Sequence, residues 1–158
     1  MAHPRRNLVV ERASPRLAAA CELLAELDEY LNRLYAADRN YLLDVEALCA
    51  PEVAFFIAHC DGETAACGAL RRIDDASAEI KRMYVRPRFR GQGVGRALLL
   101  ALESHARATG VRRLVLETGV DQPEALALYE RHQFVRRACY GEYRDDPTSV
   151  FFEKHLSL

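Results

Sequence analysis

No stretch of these 158 residues approaches the ~18–20 consecutive apolar positions that a membrane-spanning helix needs. Met1–Asn7 is polar and basic, and no apolar run of signal-peptide kind follows it. These absences lead to the expectation of a cytoplasmic protein with no membrane partner. Net charge is scarce as well: 22 Lys+Arg against 23 Asp+Glu leave a formal −1. A molecule so nearly neutral lacks the broad basic face that nucleic acid requires, so no nucleic-acid partner is expected. The five cysteines, at 21, 49, 60, 67 and 139, form no C-x-x-C pair, and no histidine pair completes a zinc pattern. No metal site is expected, and the thiols read as small, reduced core residues. Internal repeats and low-complexity tracts are missing too. What remains is half apolar and 28% charged, the mixture of a folded domain, and 1–158 reads as one such domain.

The periodicities alternate between strand and helix. Leu8–Glu11 is a short apolar strand candidate. Ser14-Pro15 signals a helix start, and Leu17, Ala20, Cys21, Leu24, Leu27 and Leu31 recur at helical spacing as far as about Ala37. Tyr41–Leu48 reads as a further helical piece, ended by Pro51. Three strands follow, at Ala54–Cys60, Thr64–Arg72 and Glu79–Val85, separated by turns at Asp61-Gly62 and Asp74-Asp75. A helix over Gly95–Ala108 turns Ala97, Leu98, Ala101, Leu102 and His105 to one side, and Gly110 stops it. Arg113–Thr118 is a buried-type strand. Asp121 and Glu124 form a capping-box pattern before a helix over Gln122–His132. Phe134–Cys139 and Val150–Lys154 complete the strands. This order predicts an α/β (α+β) fold in which a mixed sheet is covered by helices.

Arg90-Gly91-Gln92-Gly93-Val94-Gly95-Arg96 carries the most information. It follows a strand and opens a helix. Glycines let backbone N–H groups converge on a ligand without Cβ clashes, and a helix N-terminus adds partial positive charge. Flanking arginines suit a pyrophosphate. A dinucleotide fingerprint would need G-x-G-x-x-G after the first strand of a βαβ unit. Here the spacing is G-x-G-x-G, late in the chain. A purely structural glycine turn is the remaining alternative.

Arg90, Gly93 and Gly95 match R/Q-x-x-G-x-G/A, and in this the chain resembles the GNAT superfamily of acyl-CoA-dependent N-acetyltransferases. Glu79–Val85, with Pro87 and Arg90-Gly91 after it, is similar to that family's fourth strand. Ala125–Arg131 with Phe134 is similar to its A-x-x-L-Y-E-x-x-G-F segment. The likeness covers about residues 50–155. It departs at Gln122, where many relatives carry asparagine, and at Gln133, which replaces a glycine. The resemblance implies a GNAT-like mixed central sheet whose fourth and fifth strands splay apart. It implies acetyl-CoA as cosubstrate, with pyrophosphate on the backbone of Gly91, Gln92, Gly93, Val94 and Gly95, helped by Arg90 and Arg96. The pantetheine arm would lie along Met83, Tyr84 and Val85, with Gln122 nearby.

Acetyl transfer to an amine needs the neutral amine, and a free alkylamine has a pKa of roughly 10.4. The resemblance places a general base at Glu79, with Glu117 as the alternative or as an amine-orienting carboxylate. It places a general acid at Tyr129, which would protonate the departing thiolate. No triad, metal or covalent nucleophile is required. Tyr140–Pro147 is expected to border the acceptor site, since aromatic faces and carboxylates hold cationic amines. A small-molecule amine is the expected acceptor, with a protein tail as the alternative. A homodimer is consistent with the family's habits. A non-catalytic acyl-CoA-binding module would need neither Glu79 nor Tyr129.

Overall fold

The computed structural model describes residues 4–35 and 43–157. The expected helix end at Ala37 and the expected helix start at Tyr41 lie outside the described residues. The elements are β1 (Leu8–Arg12), α1 (Ala18–Leu34), α2 (Val45–Leu48), β2 (Val53–Cys60), β3 (Glu63–Arg72), β4 (Ser77–Val85), α3 (Val94–Ala108), β5 (Arg113–Gly119), α4 (Pro123–Arg131), β6 (Val135–Arg137) and β7 (Ser149–His155), with a 3₁₀ turn at Pro87–Phe89. The strands form one sheet in the order β1-β2-β3-β4-β5-β7-β6. The β4–β5 pairing is parallel and the others are antiparallel.

Helices cover both faces of the sheet, which explains why β2 is apolar along nearly its whole length. Alternating side chains point to opposite faces. Ala54, Phe56 and Ala58 therefore join the core under α3, while Phe55 and Ile57 join Leu23, Leu24, Leu27 and Leu31 of α1. Of the cysteines, 60 and 67 are core residues as expected. Cys21 and Cys49 are exposed and Cys139 is half-buried, so the all-core reading is corrected for those three.

Several local expectations shift. Ser14 does not cap α1: its Oγ accepts from Arg16 N–H in a turn, and the helix begins at Ala18. The capping box at α4 does not form. Gln122 is its N-cap without a side-chain bond and Pro123 opens it, while Asp121 donates its backbone N–H to Tyr35 Oη at 3.1 Å. The buried stripe of α3 runs through Val94, Leu98, Leu99, Leu102, Glu103 and Ala106. This rotation buries a carboxylate, which Lys154 Nζ of β7 satisfies at 2.7 Å. β6 is shorter than expected because the chain from residue 138 leaves the sheet to cross its face.

The sheet parts where the site lies. β4 and β5 pair from Ser77↔Arg113 to Ile80↔Leu116, and there their register ends. Beyond it β4 stays with β3 (Tyr84↔Cys67, Val85↔Ala66), and β5 stays with β7 (Glu117↔Phe151, Thr118↔Val150). A bulge marks the fork. The β3–β4 register shifts between Cys67 and Ala69, and Arg82 takes φ +57°. Left-handed backbone at a non-glycine residue costs about 1–2 kcal/mol, and a bulge bends and twists its strand. The side chain of Arg82 offsets the strain. It runs beneath α1, bonding Asp28 at 2.6 Å and Leu24 O at 3.3 Å.

Candidate active site

The fork opens a cleft of about 750 Å³ between β4, β5, α1 and the N-terminal ends of α3 and α4. Its lining includes Met83, Tyr84, Val85, Arg90, Gly91, Gly93, Val94, Gly95, Arg96, Glu117, Gln122 and Tyr129. Ten of the eleven expected cofactor residues and two of the three expected catalytic residues are thus brought together. Gln92 is turned away, its Nε2 donating to Arg88 O at 2.9 Å. Glu79 does not line the cleft.

One end of the cleft is built of backbone. Gly93 is the N-cap of α3 at φ +83°, and no side chain caps the helix. The first-turn N–H groups of a helix have no intrahelical acceptor. Val94, Gly95 and Arg96, which make up that first turn, line the cleft together with Arg90 and Arg131. Uncapped N–H groups, partial positive charge and guanidinium groups form an anion cradle. A Cβ at Gly95 would stand 3.4 Å from Leu128 and 3.6 Å from Val85, so glycine lets α3 approach both. On β4, Arg86 N–H donates to Ala65 O of β3 at 2.9 Å. Backbone alternation therefore aims the polar groups of Met83 and Val85 at the cleft. Arg90 Nε donates to Val85 O at 3.0 Å, and its guanidinium lies 5.5 Å from the Tyr30 ring centre.

Side chains build the other end. Leu27, Tyr30 and Leu31 of α1, with Tyr35 directly after it, line this end together with Lys81, Glu117, Thr148 and Ser149. Burial pushes the Glu117 carboxyl above its usual range, opposed by a Ser149 hydrogen bond and the charge of Lys81. Burial pulls Lys81 down, opposed by Glu79 and Glu117. The Tyr129 ring packs against Phe134 and Phe152, with centroids 5.6 and 5.9 Å away. Burial, then the charge of Glu117, pushes its phenol far up. Tyr129 therefore keeps its proton at neutral pH.

Glu79 is fully buried behind this lining. Arg71 Nη2, Tyr140 Oη and Tyr143 Oη donate to it at 2.7, 2.5 and 2.6 Å. The two tyrosines expected at the acceptor border thus spend their hydroxyls on Glu79, while Thr148 and Ser149 reach the cleft instead. Sequence reasoning missed Lys81 and Arg71 as members of this cluster. Arg71↔Glu79 is a cross-strand pair, a relation visible once the Asp74-Asp75 turn is used to set the hairpin register.

A sequence model of the acetyltransferase (GNAT) family matches residues 17–134. The IAA acetyltransferase of Azospirillum brasilense is 42% identical over 151 residues, spanning 95% of this chain and 99% of that protein. A Klebsiella pneumoniae structure assigned as an acyl-CoA N-acyltransferase superposes with TM-score 0.81 at 34% identity, covering 95% of this chain and 98% of that one. The PaiA N-acetyltransferase of Thermoplasma acidophilum, solved in complex with coenzyme A, shares the fold at TM-score 0.73 and 16% identity, covering 95% and 99%.

Proposed function

The chain belongs to the acetyltransferase (GNAT) family and is an acyltransferase, and from that premise we propose that it moves an acetyl group from acetyl-CoA to a primary amine of a small molecule by direct attack in the cleft. One observation carries the reading: the uncapped α3 N-terminus, with its arginines, opens into the same cleft as Glu117 and Tyr129. The cradle fits a pyrophosphate, and the cleft-facing groups of Met83 and Val85 fit an amide-bearing arm. Acetyl-CoA would supply an activated thioester and a thiolate leaving group. Arg90 and Arg96 would flank the phosphates, and Gln122 would stand at the α4 end. The likeness to the Azospirillum relative supports acetyl as the group transferred.

Glu117 takes the amine proton in this reading. It faces the cleft, and its raised pKa brings its basicity nearer that of the proton it must accept. Tyr129 delivers a proton to the leaving sulfur. The cleft volume falls in the ordinary range for small-ligand sites, ~300–1,000 Å³, and the Leu27–Tyr35 wall suits an acceptor with an apolar or aromatic body. The test is a transfer screen with acetyl-CoA and a panel of amines, among them tyramine, spermidine, free amino acids and a lysine peptide, reading free thiol. Thiol release accelerated by at least one small amine is expected. If CoA raises the melting temperature while no amine accelerates thiol release, the chain is an acyl-CoA-binding module instead.

A further inference from the structure

Both oxygens of Glu79 are engaged: Oε1 accepts from Arg71, and Oε2 from Tyr140 and Tyr143. A carboxylate so placed has no exposed surface and would have to break charge-assisted bonds to take a proton from an amine. Its donors come from distant parts of the chain. Arg71 belongs to β3, while the tyrosines belong to the 138–148 connection between β6 and β7. Gly141, at φ +60°, turns the backbone between the tyrosines. Their rings pack edge-on with each other and with Phe151, at centroid distances of 5.2–5.6 Å.

The direction of the Tyr143 bond matters most. An ionised carboxylate can only accept, so the Tyr143 hydrogen points at Glu79. That leaves the phenolic oxygen as acceptor for Lys81 Nζ, 2.5 Å away. Further along the connection, Asp146 Oδ1 accepts from Thr148 N–H and Oγ1 at 2.8 and 2.7 Å. Ser149 follows and bonds Glu117.

We propose that Glu79 is a positioning residue: its carboxylate latches the 138–148 connection onto β3 and β4, and through Tyr143 it sets where the Lys81 ammonium stands in the acceptor end of the cleft. The inference rests on the acetyl-transfer reading only in calling that end the acceptor's. The latch holds one wall of the cleft in register with the other, and it places a cation beside Glu117 without itself touching either reactant.

The protein contains two lysines, Lys81 and Lys154, so labelling with lysine carrying ¹⁵N only at Nζ gives a two-signal spectrum in which Lys154 is the internal control. Glu79→Gln and Tyr143→Phe are each expected to move the Lys81 Nζ signal and to leave that of Lys154 in place. Both should speed amide hydrogen exchange across 142–149 by about ten-fold or more, corresponding to ~1.4 kcal/mol of local opening. CoA affinity should stay within about two-fold of wild type. Tyr143→Phe keeps the ring packing and serves if Glu79→Gln fails to fold. Wild-type Lys81 signal and wild-type loop exchange in both variants would overturn the proposal. So would thiol release from acetyl-CoA that falls in Glu79→Gln, recovers at high pH and is untouched in Tyr143→Phe, the behaviour of a direct base. Failure of the wild-type protein to bind CoA would sink the transfer reading and leave the latch standing.

Discussion

The two ends of the cleft are built on different principles. At the α3 end the cleft-facing groups are backbone N–H and C=O groups together with arginine side chains, most of them supplied by the stretch from Met83 to Arg96. At the α1 end they are side chains drawn from α1, β4, β5 and the chain before β7, and the Glu79 cluster behind them adds β3 and the 138–148 connection. A backbone site needs a conformation, and glycine spacing with a helix start specifies one locally. A side-chain site needs a tertiary arrangement, which no short segment encodes. The first kind tolerates change of neighbouring side chains, whereas the second can be retuned residue by residue.

The largest expected effect separates the ends by chemistry. Glu117→Gln should lower kcat by about 10²–10⁴-fold at neutral pH, the contribution typical of a general base, with CoA affinity unchanged. Wild-type kcat/KM should rise with pH through an apparent pKa above the ordinary carboxylate value of ~4.3, and the variant should lack that limb. Stability should move the opposite way. A carboxyl whose pKa is raised on folding contributes stability fully present below its unfolded pKa and lost as pH rises through its folded pKa. Relative to wild type, Glu117→Gln should therefore gain melting temperature as pH rises from the ordinary carboxylate range through the raised pKa of Glu117. A variant with wild-type kcat would remove the chemical role from the side-chain end.

Next is Gly93→Asp, aimed at the backbone end. It forces a side chain onto φ +83° and sets a negative charge in the cradle. CoA binding measured by calorimetry should weaken by about 100-fold or more, equivalent to ~2.7 kcal/mol. Binding within a few-fold of wild type in a folded variant would break the comparison, because the cradle would then not be the phosphate site. Tyr129→Phe keeps the packing against Phe134 and Phe152 but removes the proton. A loss of roughly ten-fold in kcat is expected, with melting temperature and CoA affinity held. Wild-type kcat would leave Tyr129 as a packing residue.

The smallest effect sharpens the point about backbone. Gln133 takes φ +69°, at the position where the family's segment carries glycine. Gln133→Gly should relieve left-handed strain of ~1 kcal/mol and raise the melting temperature by about 2–4 °C, without touching activity. No change on thermal denaturation would mean that the turn bears no strain.

Gln133 also shows what was legible. A local backbone requirement could be read from the motif even where the residue departs from it. The glycine loop and the succession of strands and helices along the chain were legible for the same reason, since each depends on short-range pattern, whereas Glu117 and Tyr129 were singled out through the family likeness and both line the cleft. The fork was implied by family likeness, but its cause was not. The bulge carries Arg82, whose partner Asp28 lies 54 positions away. Glu79 was legible as important, and its surroundings were not. Nothing near residue 79 announces tyrosines 61 and 64 positions downstream. The expected face of α3 slipped for a related reason: its buried stripe includes Glu103, whose partner Lys154 lies 51 positions away.

The brief β4–β5 ladder also bears on the order in which the molecule assembles. Strands β1 to β4 form successive antiparallel neighbours, apart from the excursion through α1 and α2, and their hairpins close over short loops. The four paired positions that join β4 to β5 are separated in sequence by all of α3. Contacts of that range incur the loop-closure entropy before they return any stabilisation. The meander is thus expected to gain protection first and the seam last, so pulse-labelled hydrogen exchange should protect Phe56–Ile57 before Val115–Leu116. The cleft then comes into being only at the final docking of the two half-sheets. A nascent chain would remain unable to capture its cosubstrate until folding is otherwise complete, and once captured, the bound molecule would act as a clamp against reopening along that seam.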